Sequence, residues 1–187
     1  FYINNISKFK FSEKYIVDKA PLNFRWIGFI LRLFPNSFII NCSREPMDIG
    51  WSNYKQNFSS GNLGWAYNLR NIAQFYNIYN DFMGYWKKLY GKKIYEINYE
   101  KFTDDFDEEV KKLLSFCQLE WSQSCVEFYK NKKSVVTSSL AQVRQPIYKT
   151  SVDSWKNYSN RLSELEKLLK LILSTKVRLI DILFQLN

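Results

Sequence analysis

The sequence has 187 residues, with 27 Lys and Arg against 18 Asp and Glu, a formal net charge of +9, and a hydrophobic content of 46%. This length fits one domain, with or without a short tail, and the apolar content excludes long disorder and collagen. No run of about twenty uninterrupted apolar residues occurs, so no membrane span is expected. The sequence contains no His, which excludes His metal ligands and His-assisted nucleophiles within these residues.

The three cysteines are Cys42, Cys117 and Cys125. An odd, sparse set without CxxC spacing predicts reduced, buried thiols and a cytoplasmic location. No signal peptide is visible, and a start at Phe1 reads as the interior of a longer chain. The charge of +9 favours anionic partners, but the basic residues are spread out, so a nucleic-acid partner is not expected.

The first elements in chain order alternate between strand and helix. Residues 14–19 (KYIVDK) predict a short buried strand, and Pro21 opens an apolar helix that ends at Pro35. Residues 37–42 (SFIINC) predict a second strand. A helix follows over residues 46–58, and residues 59–62 form a loop.

The longest pattern predicts an amphipathic helix that closes at Gly91. Its apolar positions repeat at alternating spacings of four and three, and they are Trp65, Leu69, Ile72, Tyr76, Tyr79, Met83 and Trp86. An aromatic stripe of this kind is typical of a helix face packed into a hydrophobic core.

The second half continues the alternation. Residues 93–99 predict a third strand, and five carboxylates at 104–109 crowd the start of the next helix, where the helix dipole favours them. A short helix is predicted over 122–130, and residues 134–150 form an irregular polar stretch. Ser151 is expected to cap a helix that carries Trp155.

A last helical face is formed by Leu162, Leu165, Leu168, Leu169 and Ile172. We therefore expect one domain over residues 1–173 and a helical tail over 174–187. Strands alternating with helices predict an α/β fold, a parallel sheet flanked by helices. Ligands in such folds bind at the carboxyl ends of the strands, where Lys19, Arg44 and Tyr99 are expected.

Arg44 and Ser52 form the first candidate site. Arg44 follows a predicted strand, and Ser52 comes eight residues later on the next helix. The start of that helix near Pro46 offers backbone N–H groups and a positive dipole end. A guanidinium fork, a hydroxyl and a helix start together favour a bound phosphate.

The segment INCSREPMDIGWSNYKQNF resembles the 3′-phosphate-binding segment of sulfotransferases that use 3′-phosphoadenylyl sulfate (PAPS). Three further segments resemble this family in the same order: DKAPLNFRWIGFILRLFPNSFII, INYEKF and TSSLAQVRQPIYKTSVDSWKNY. The resemblance covers roughly residues 13–170. It is strongest to bacterial sulfotransferases that often carry tetratricopeptide repeats, and weaker to tyrosylprotein sulfotransferases. It implies a P-loop NTPase-like sulfotransferase fold.

The resemblance also implies roles for individual residues. Arg44 and Ser52 match the 3′-phosphate ligands, and Tyr99 matches the Tyr beside adenosine. Lys19 matches a Lys that contacts the transferring group, and Ser139 matches a catalytic-loop Ser. The implied cofactor-contacting residues of the C-terminal loop and helix are Ser139, Gln142, Val143, Arg144, Tyr148, Lys149 and Ser154. Ser154 stands where those relatives have Lys, and the resemblance leaves open whether Lys149 or Lys156 substitutes for it.

The family's phosphosulfate-binding loop has no counterpart in residues 1–14, so we expect an N-terminally incomplete enzyme that is inactive alone. The catalytic base is not identifiable; Asp18 is adjacent to Lys19 but is not assigned this role. The implied ligands are PAPS and its product PAP, with no metal, and the acceptor is a carbohydrate, peptide or small molecule. The C-terminal helix could mediate homo-oligomer or intramolecular contacts. Alternatives are a nucleotide kinase-like enzyme, although no GxxxxGK[ST] loop is present, and a non-catalytic basic binding module.

Overall fold

The computed structural model describes residues 14–58, 61–131 and 142–171. Within them, two strands, β1 (Ile39–Ser43) and β2 (Ile94–Asn98), pair in parallel. Ile39 lies opposite Ile94, and Ser43 lies opposite Asn98. Both strands therefore end at the same edge of the sheet, and helices flank them. The predicted α/β class is confirmed.

The strand predicted at residues 14–19 is wrong, because these residues have no strand conformation. The apolar run that suggested burial is open to solvent, with Val17 89% exposed and Ile16 55% exposed. A strand is stabilised by a paired neighbour and a covered face. Among the described residues, only β1 and β2 pair with each other, so this run has neither.

The helix predicted after Pro21 forms in two parts. A 3-10 helix spans Pro21–Trp26 and continues as α1 (Ile27–Leu33), which ends one residue before Phe34. Pro21 occupies the first turn, where its missing N–H costs no helical hydrogen bond.

The second predicted helix is α2 (Pro46–Tyr54), which ends four residues short of the predicted end at residue 58. Its start is capped by Glu45, whose side chain accepts a hydrogen bond from the Met47 N–H at 3.4 Å. The positive end of α2 therefore follows β1 after only two intervening residues.

The longest helix, α3 (Leu69–Tyr90), begins after a 3-10 helix over Gly61–Tyr67. Asn68 caps it, because its side-chain oxygen accepts hydrogen bonds from the N–H groups of Arg70 and Asn71. The predicted core role of the aromatic stripe is confirmed, since α3 contributes to two hydrophobic clusters, but Trp65 lies on the preceding 3-10 helix and not on α3. One cluster contains Met47, Ile72, Ala73, Leu162, Leu165 and Leu169, and the other contains Phe24, Ile27, Leu31, Met83 and Ile94.

After β2, the helices α4 (Tyr99–Asp104), α5 (Phe106–Phe116) and α6 (Gln123–Val126) follow in close succession. Short 3-10 helices span Phe128–Lys130, Gln142–Arg144 and Ser154–Arg161. Residues 163–171 form a last helix, α7, whose Leu165 and Leu169 are buried. The carboxylates Asp107, Glu108 and Glu109 lie in the first turn of α5, as the sequence predicts.

Two local predictions are wrong. Ser151 does not cap the following helix, which begins at Ser154 after Asp153 in a left-handed conformation. The cysteines are free but not buried, since Cys42 is exposed and Cys117 and Cys125 are half-buried.

The predicted tail over 174–187 lies outside the described residues. Within the described ranges, no helix is both long and apolar enough to cross a bilayer.

Candidate functional site

Arg44 lies at the junction between β1 and α2. Its Nη2 donates a hydrogen bond to the carbonyl oxygen of Ser151, a residue 107 positions later in the chain. The same nitrogen lies 3.5 Å from Oδ2 of Asp48. Only 18% of the Arg44 side-chain surface is exposed. The guanidinium is therefore held by protein contacts and is largely shielded from solvent.

Tyr99 brings the end of β2 to the same place. It is the first residue of α4, and its ring centroid lies 4.6 Å from Cζ of Arg44. This distance is within the range of a cation–π contact. The Tyr99 hydroxyl shares a hydrogen bond of 3.0 Å with the Ser151 hydroxyl. Residues from the ends of both strands therefore meet one turn of the C-terminal segment.

Asp48 is the most buried charged group of this cluster, with 0% of its surface exposed. Its Oδ2 accepts a hydrogen bond from the Asp153 N–H at 2.8 Å. Its Oδ1 accepts bonds from the Ser154 hydroxyl and the Trp155 N–H, both at 3.4 Å. These bonds offset the cost of burying a carboxylate and tie the turn over residues 151–155 to the start of α2.

A second carboxylate joins the two strand ends. Glu100, in the first turn of α4, accepts a hydrogen bond of 2.9 Å from the backbone N–H of Glu45. This bond holds the β1–α2 junction against the β2–α4 junction. Arg44 and Tyr99 are thereby kept at a constant separation.

One cleft lies beside this cluster, and a second cleft adjoins the first. One, of about 400 Å³, is lined by Arg44, Ser43 and Lys87 among others. The other, of about 890 Å³, is mostly apolar and includes Lys19. Both clefts share a wall made of Asn41, Tyr79 and Met83.

The shared wall is polar at one point. The Tyr79 hydroxyl donates a hydrogen bond of 2.9 Å to Oδ1 of Asn41, and Asn41 in turn donates to Oε1 of Glu96 at 2.5 Å. Burial raises the pKa of Tyr79 above its ordinary value, and the bond to Asn41 opposes this effect in part. The phenol therefore remains a neutral hydrogen-bond donor at physiological pH.

The structure brings some of the sequence-predicted residues together and leaves others apart. Arg44, Tyr99 and Ser154 converge through Ser151 and Asp48. Ser52 is exposed on α2 and does not line the cleft that contains Arg44. Lys19 is exposed and lines the other cleft.

The structure describes most of the predicted residues of the C-terminal loop. Gln142, Val143 and Arg144 form one 3-10 turn, and Tyr148 is half-buried. Ser139 lies outside the described residues.

Both lysines proposed to replace the missing cation at Ser154 form exposed ion pairs with carboxylates. Lys149 pairs with Asp104 at 2.5 Å, and Lys156 pairs with Asp153 at 2.7 Å. Within the described part of the chain, no three Cys, Asp and Glu side chains group closely enough to hold a metal ion.

Sequence reasoning missed Asp48 and Ser151 as members of the cluster. Asp48 follows Arg44 by four residues, in the first turn of a helix that begins with Pro46, and this spacing is a signal for an ion pair. Ser151 carries no such signal, because its contacts join positions more than fifty residues apart in sequence.

Similarity to known proteins identifies the family of this chain. Residues 1–123 match the model of the sulfotransferase family. The chain belongs to the sulfotransferase family. It is also 38% identical over 172 residues to an uncharacterized protein of Aquifex aeolicus (strain VF5), a match that covers 91% of this chain and 23% of that protein. The chain therefore spans about a quarter of that relative's length.

The family match covers β1, β2 and the residues Arg44, Asp48 and Tyr99. The turn over 151–155 lies beyond it. The cluster at the two strand ends is therefore the candidate site of this α/β chain.

Proposed function

We propose that this sulfotransferase chain binds the 3′-phosphate of PAPS at Arg44 and takes part in sulfuryl transfer to an acceptor hydroxyl or amine. The observation that carries this proposal is the state of the Arg44 guanidinium. Its Nε is buried and has no hydrogen-bond partner, while its Nη2 is held by Ser151 and Asp48. A buried, unpaired donor on a fixed cation costs free energy, and an anionic oxygen is the kind of partner that offsets this cost.

The surroundings of Arg44 fit an anionic ligand. Arg44 is the first residue after β1 and lies two residues before the start of α2. At the start of a helix, the dipole favours negative charge. Asp48 offsets part of the Arg44 charge at 3.5 Å, and its carboxylate also accepts hydrogen bonds from the 151–155 turn. Ser52, one turn after Asp48 on α2, is the second proposed ligand of this phosphate, although it does not line the cleft that contains Arg44.

PAPS supplies an activated sulfuryl group when it is bound, and the residues of this chain would bind and orient it. Transfer forms a bond from sulfur to the acceptor oxygen or nitrogen and breaks the bond to the bridging oxygen of the phosphosulfate. PAP departs with the electron pair. Lys19 and Ser139 are the proposed groups that stabilise charge on the departing phosphate, an effect larger in the transition state than in the ground state. The acceptor proton leaves to a base that this proposal does not assign.

The first experiment compares nucleotides by isothermal titration calorimetry. PAP is expected to bind more tightly than ADP or AMP, because only PAP carries a 3′-phosphate. A preference for ADP would favour a nucleotide kinase-like enzyme instead. Strongly salt-dependent binding of single-stranded RNA, with no preference for PAP, would favour a basic binding module.

The second experiment uses variants of two arginines. Arg44→Ala is expected to weaken PAP binding by about 10- to 100-fold, as for loss of a hydrogen bond to a charged group, and to change AMP binding little. Arg44→Lys should recover only part of this loss, because Lys lacks the planar fork. The matched control is Arg70→Ala, which removes the same charge from an exposed ion pair with Glu164. Equal losses in Arg44→Ala and Arg70→Ala would contradict the assignment.

Lys19 is tested through turnover in the full-length enzyme, because this chain is expected to be inactive alone. Lys19→Ala is expected to reduce kcat by about 10²–10³-fold, the usual cost of one preorganised donor, and to leave PAP affinity close to wild type. A loss of PAP affinity without a loss of kcat would instead assign Lys19 to nucleotide binding.

A further inference from the structure

We propose that Asp48 is a positioning residue, which holds the 151–155 turn against Arg44 so that the guanidinium is oriented for a 3′-phosphate. This inference rests on the proposed function of Arg44. It goes further by naming a carboxylate that contacts no ligand and yet sets the selectivity of the site for nucleotides with a 3′-phosphate.

The first argument is the burial of the charge. Asp48 is 0% exposed, and its carboxylate is surrounded by protein hydrogen-bond donors instead of solvent. A buried carboxylate is expensive unless it is paired and hydrogen-bonded. Here the partners come from two sides, Arg44 on one and residues 153–155 on the other. The carboxylate is therefore the link between the guanidinium and the C-terminal turn.

The second argument is the backbone of Asp153. This residue has φ 60° and ψ 11°, in the left-handed region, which is uncommon for residues other than glycine, although Asn and Asp adopt it more readily than most. Such conformations persist where surrounding contacts over-determine them. The N–H of Asp153 makes the shortest of the Asp48 bonds from this turn, at 2.8 Å. The bond to Asp48 thus holds the turn in a conformation that the chain alone disfavours.

The third argument is what the turn then does. With residues 153–155 anchored on Asp48, Ser151 presents its carbonyl oxygen to Nη2 of Arg44 and its hydroxyl to Tyr99. These contacts fix Nη2 of the guanidinium and the Tyr99 ring beside it, while the buried Nε is left without a hydrogen-bond partner. Because Asp48 also lies 3.5 Å from Nη2, its removal loosens Arg44 directly and through Ser151.

The test measures the ratio of PAP affinity to AMP affinity, by calorimetry, together with stability by chemical denaturation. Asp48→Asn preserves the shape of the side chain and removes its charge. We expect the ratio to fall by about tenfold or more, as for a misoriented charge-assisted bond, with AMP affinity little changed. A merely structural role would lower stability, or both affinities by one factor, and leave the ratio unchanged; that result would overturn the proposal.

The matched control is Glu109→Gln. Glu109 is also a buried carboxylate, 5% exposed, and pairs with Lys112 at 2.7 Å and Lys101 at 3.3 Å, outside the Arg44 cluster. In Glu109→Gln, the ratio of PAP affinity to AMP affinity is expected to equal that of the wild type. A fall in the ratio as large as in Asp48→Asn would show a general effect of buried carboxylates and would contradict the proposal.

Ser154→Ala decides the question if Asp48→Asn does not fold. It removes one hydroxyl donor to Asp48 and leaves the carboxylate in place. The ratio should fall by about two- to tenfold, as for one hydrogen bond, and an unchanged ratio overturns the proposal. Arg44→Ala separates the two ideas. If Arg44→Ala removes the preference for PAP over AMP while Asp48→Asn and Ser154→Ala retain it, the positioning role fails and the proposed function stands. If Arg44→Ala retains the preference, the proposed function itself fails.

Discussion

Cζ of Arg44 lies 4.6 Å from the centroid of the Tyr99 ring, although the two residues are on different strand–helix junctions. The parallel pairing of β1 and β2 brings them together, since Ser43 and Asn98, the residues before them, are directly opposite in the register. The contact therefore follows from the register of the sheet, and a slip by one residue would move either side chain to the other face.

The two parts of Tyr99 have separable roles. Tyr99→Phe keeps the ring and removes the hydroxyl bond to Ser151, so PAP affinity should fall by no more than about tenfold, as for one hydrogen bond. Tyr99→Leu also removes the cation–π contact, so PAP affinity should fall by a further factor of about 2 to 30. Calorimetry measures both. Tyr85→Leu, a change of an exposed tyrosine on α3, serves as the control, and equal losses in Tyr99→Phe and Tyr99→Leu would rule out a role for the ring.

Two helical glycines should respond in opposite ways to alanine. A Cβ at Gly50 would lie 2.5 Å from Cδ2 of Leu165, which is fully buried. Gly50→Ala should therefore lower the free energy of unfolding by about 1–3 kcal/mol through overpacking. A Cβ at Gly84 would have no atom within 4 Å, so Gly84→Ala should stabilise the chain by about 0.5–1 kcal/mol. Urea denaturation of both variants tests the pair, and a stabilising Gly50→Ala would contradict the packing of α7 on α2.

The packing of α7 has a second test in Leu165. This side chain is 0% exposed and belongs to the cluster that joins α2, α3 and α7. Leu165→Ala should cost about 2–5 kcal/mol, from lost burial and the cavity left behind. Leu89→Ala, at a residue that is 51% exposed on α3, should change stability by less than about 0.5 kcal/mol. Similar losses in the two variants would mean that α7 does not close this core.

The titration of Tyr79 predicts a change in stability at alkaline pH. Its folded-state pKa is raised by burial, so the folded chain holds this proton to higher pH than the unfolded chain. The resulting stability is fully present below about pH 10, the ordinary tyrosine value, and is lost as pH rises through the folded pKa. Tyr79→Phe should therefore show a shallower fall in the free energy of unfolding above about pH 10 than wild type.

Spectrophotometric titration of the phenolate band checks the same point directly. Tyr79→Phe should remove absorbance from the most alkaline part of the folded-state curve. In the unfolded chain, where tyrosines titrate near about 10, the variant curve should differ from wild type only by one tyrosine of ordinary pKa. A loss from the early part of the folded curve would contradict the burial of this phenol.

Much of the fold was predictable because its signals are local. The period of α3 follows from side chains three and four residues apart, and the start of α2 follows from a proline after a polar turn. Such patterns depend on neighbours that the same short segment contains. The position of Arg44 just after β1 is of the same kind, since an apolar run that stops at a charged residue marks the end of a buried strand.

Local sequence patterns were therefore enough to predict the α/β class, the alternation of elements, the core face of α3 and the candidate role of Arg44. Three further facts depend on long-range contacts: residues 14–19 form no strand, Asp48 is buried, and Ser151 contacts Arg44 instead of capping a helix. These outcomes depend on partners distant in sequence. A paired strand, a compensated carboxylate and a left-handed Asp153 are each stable only when the opposing surface is in place, and no local pattern of side chains encodes that surface.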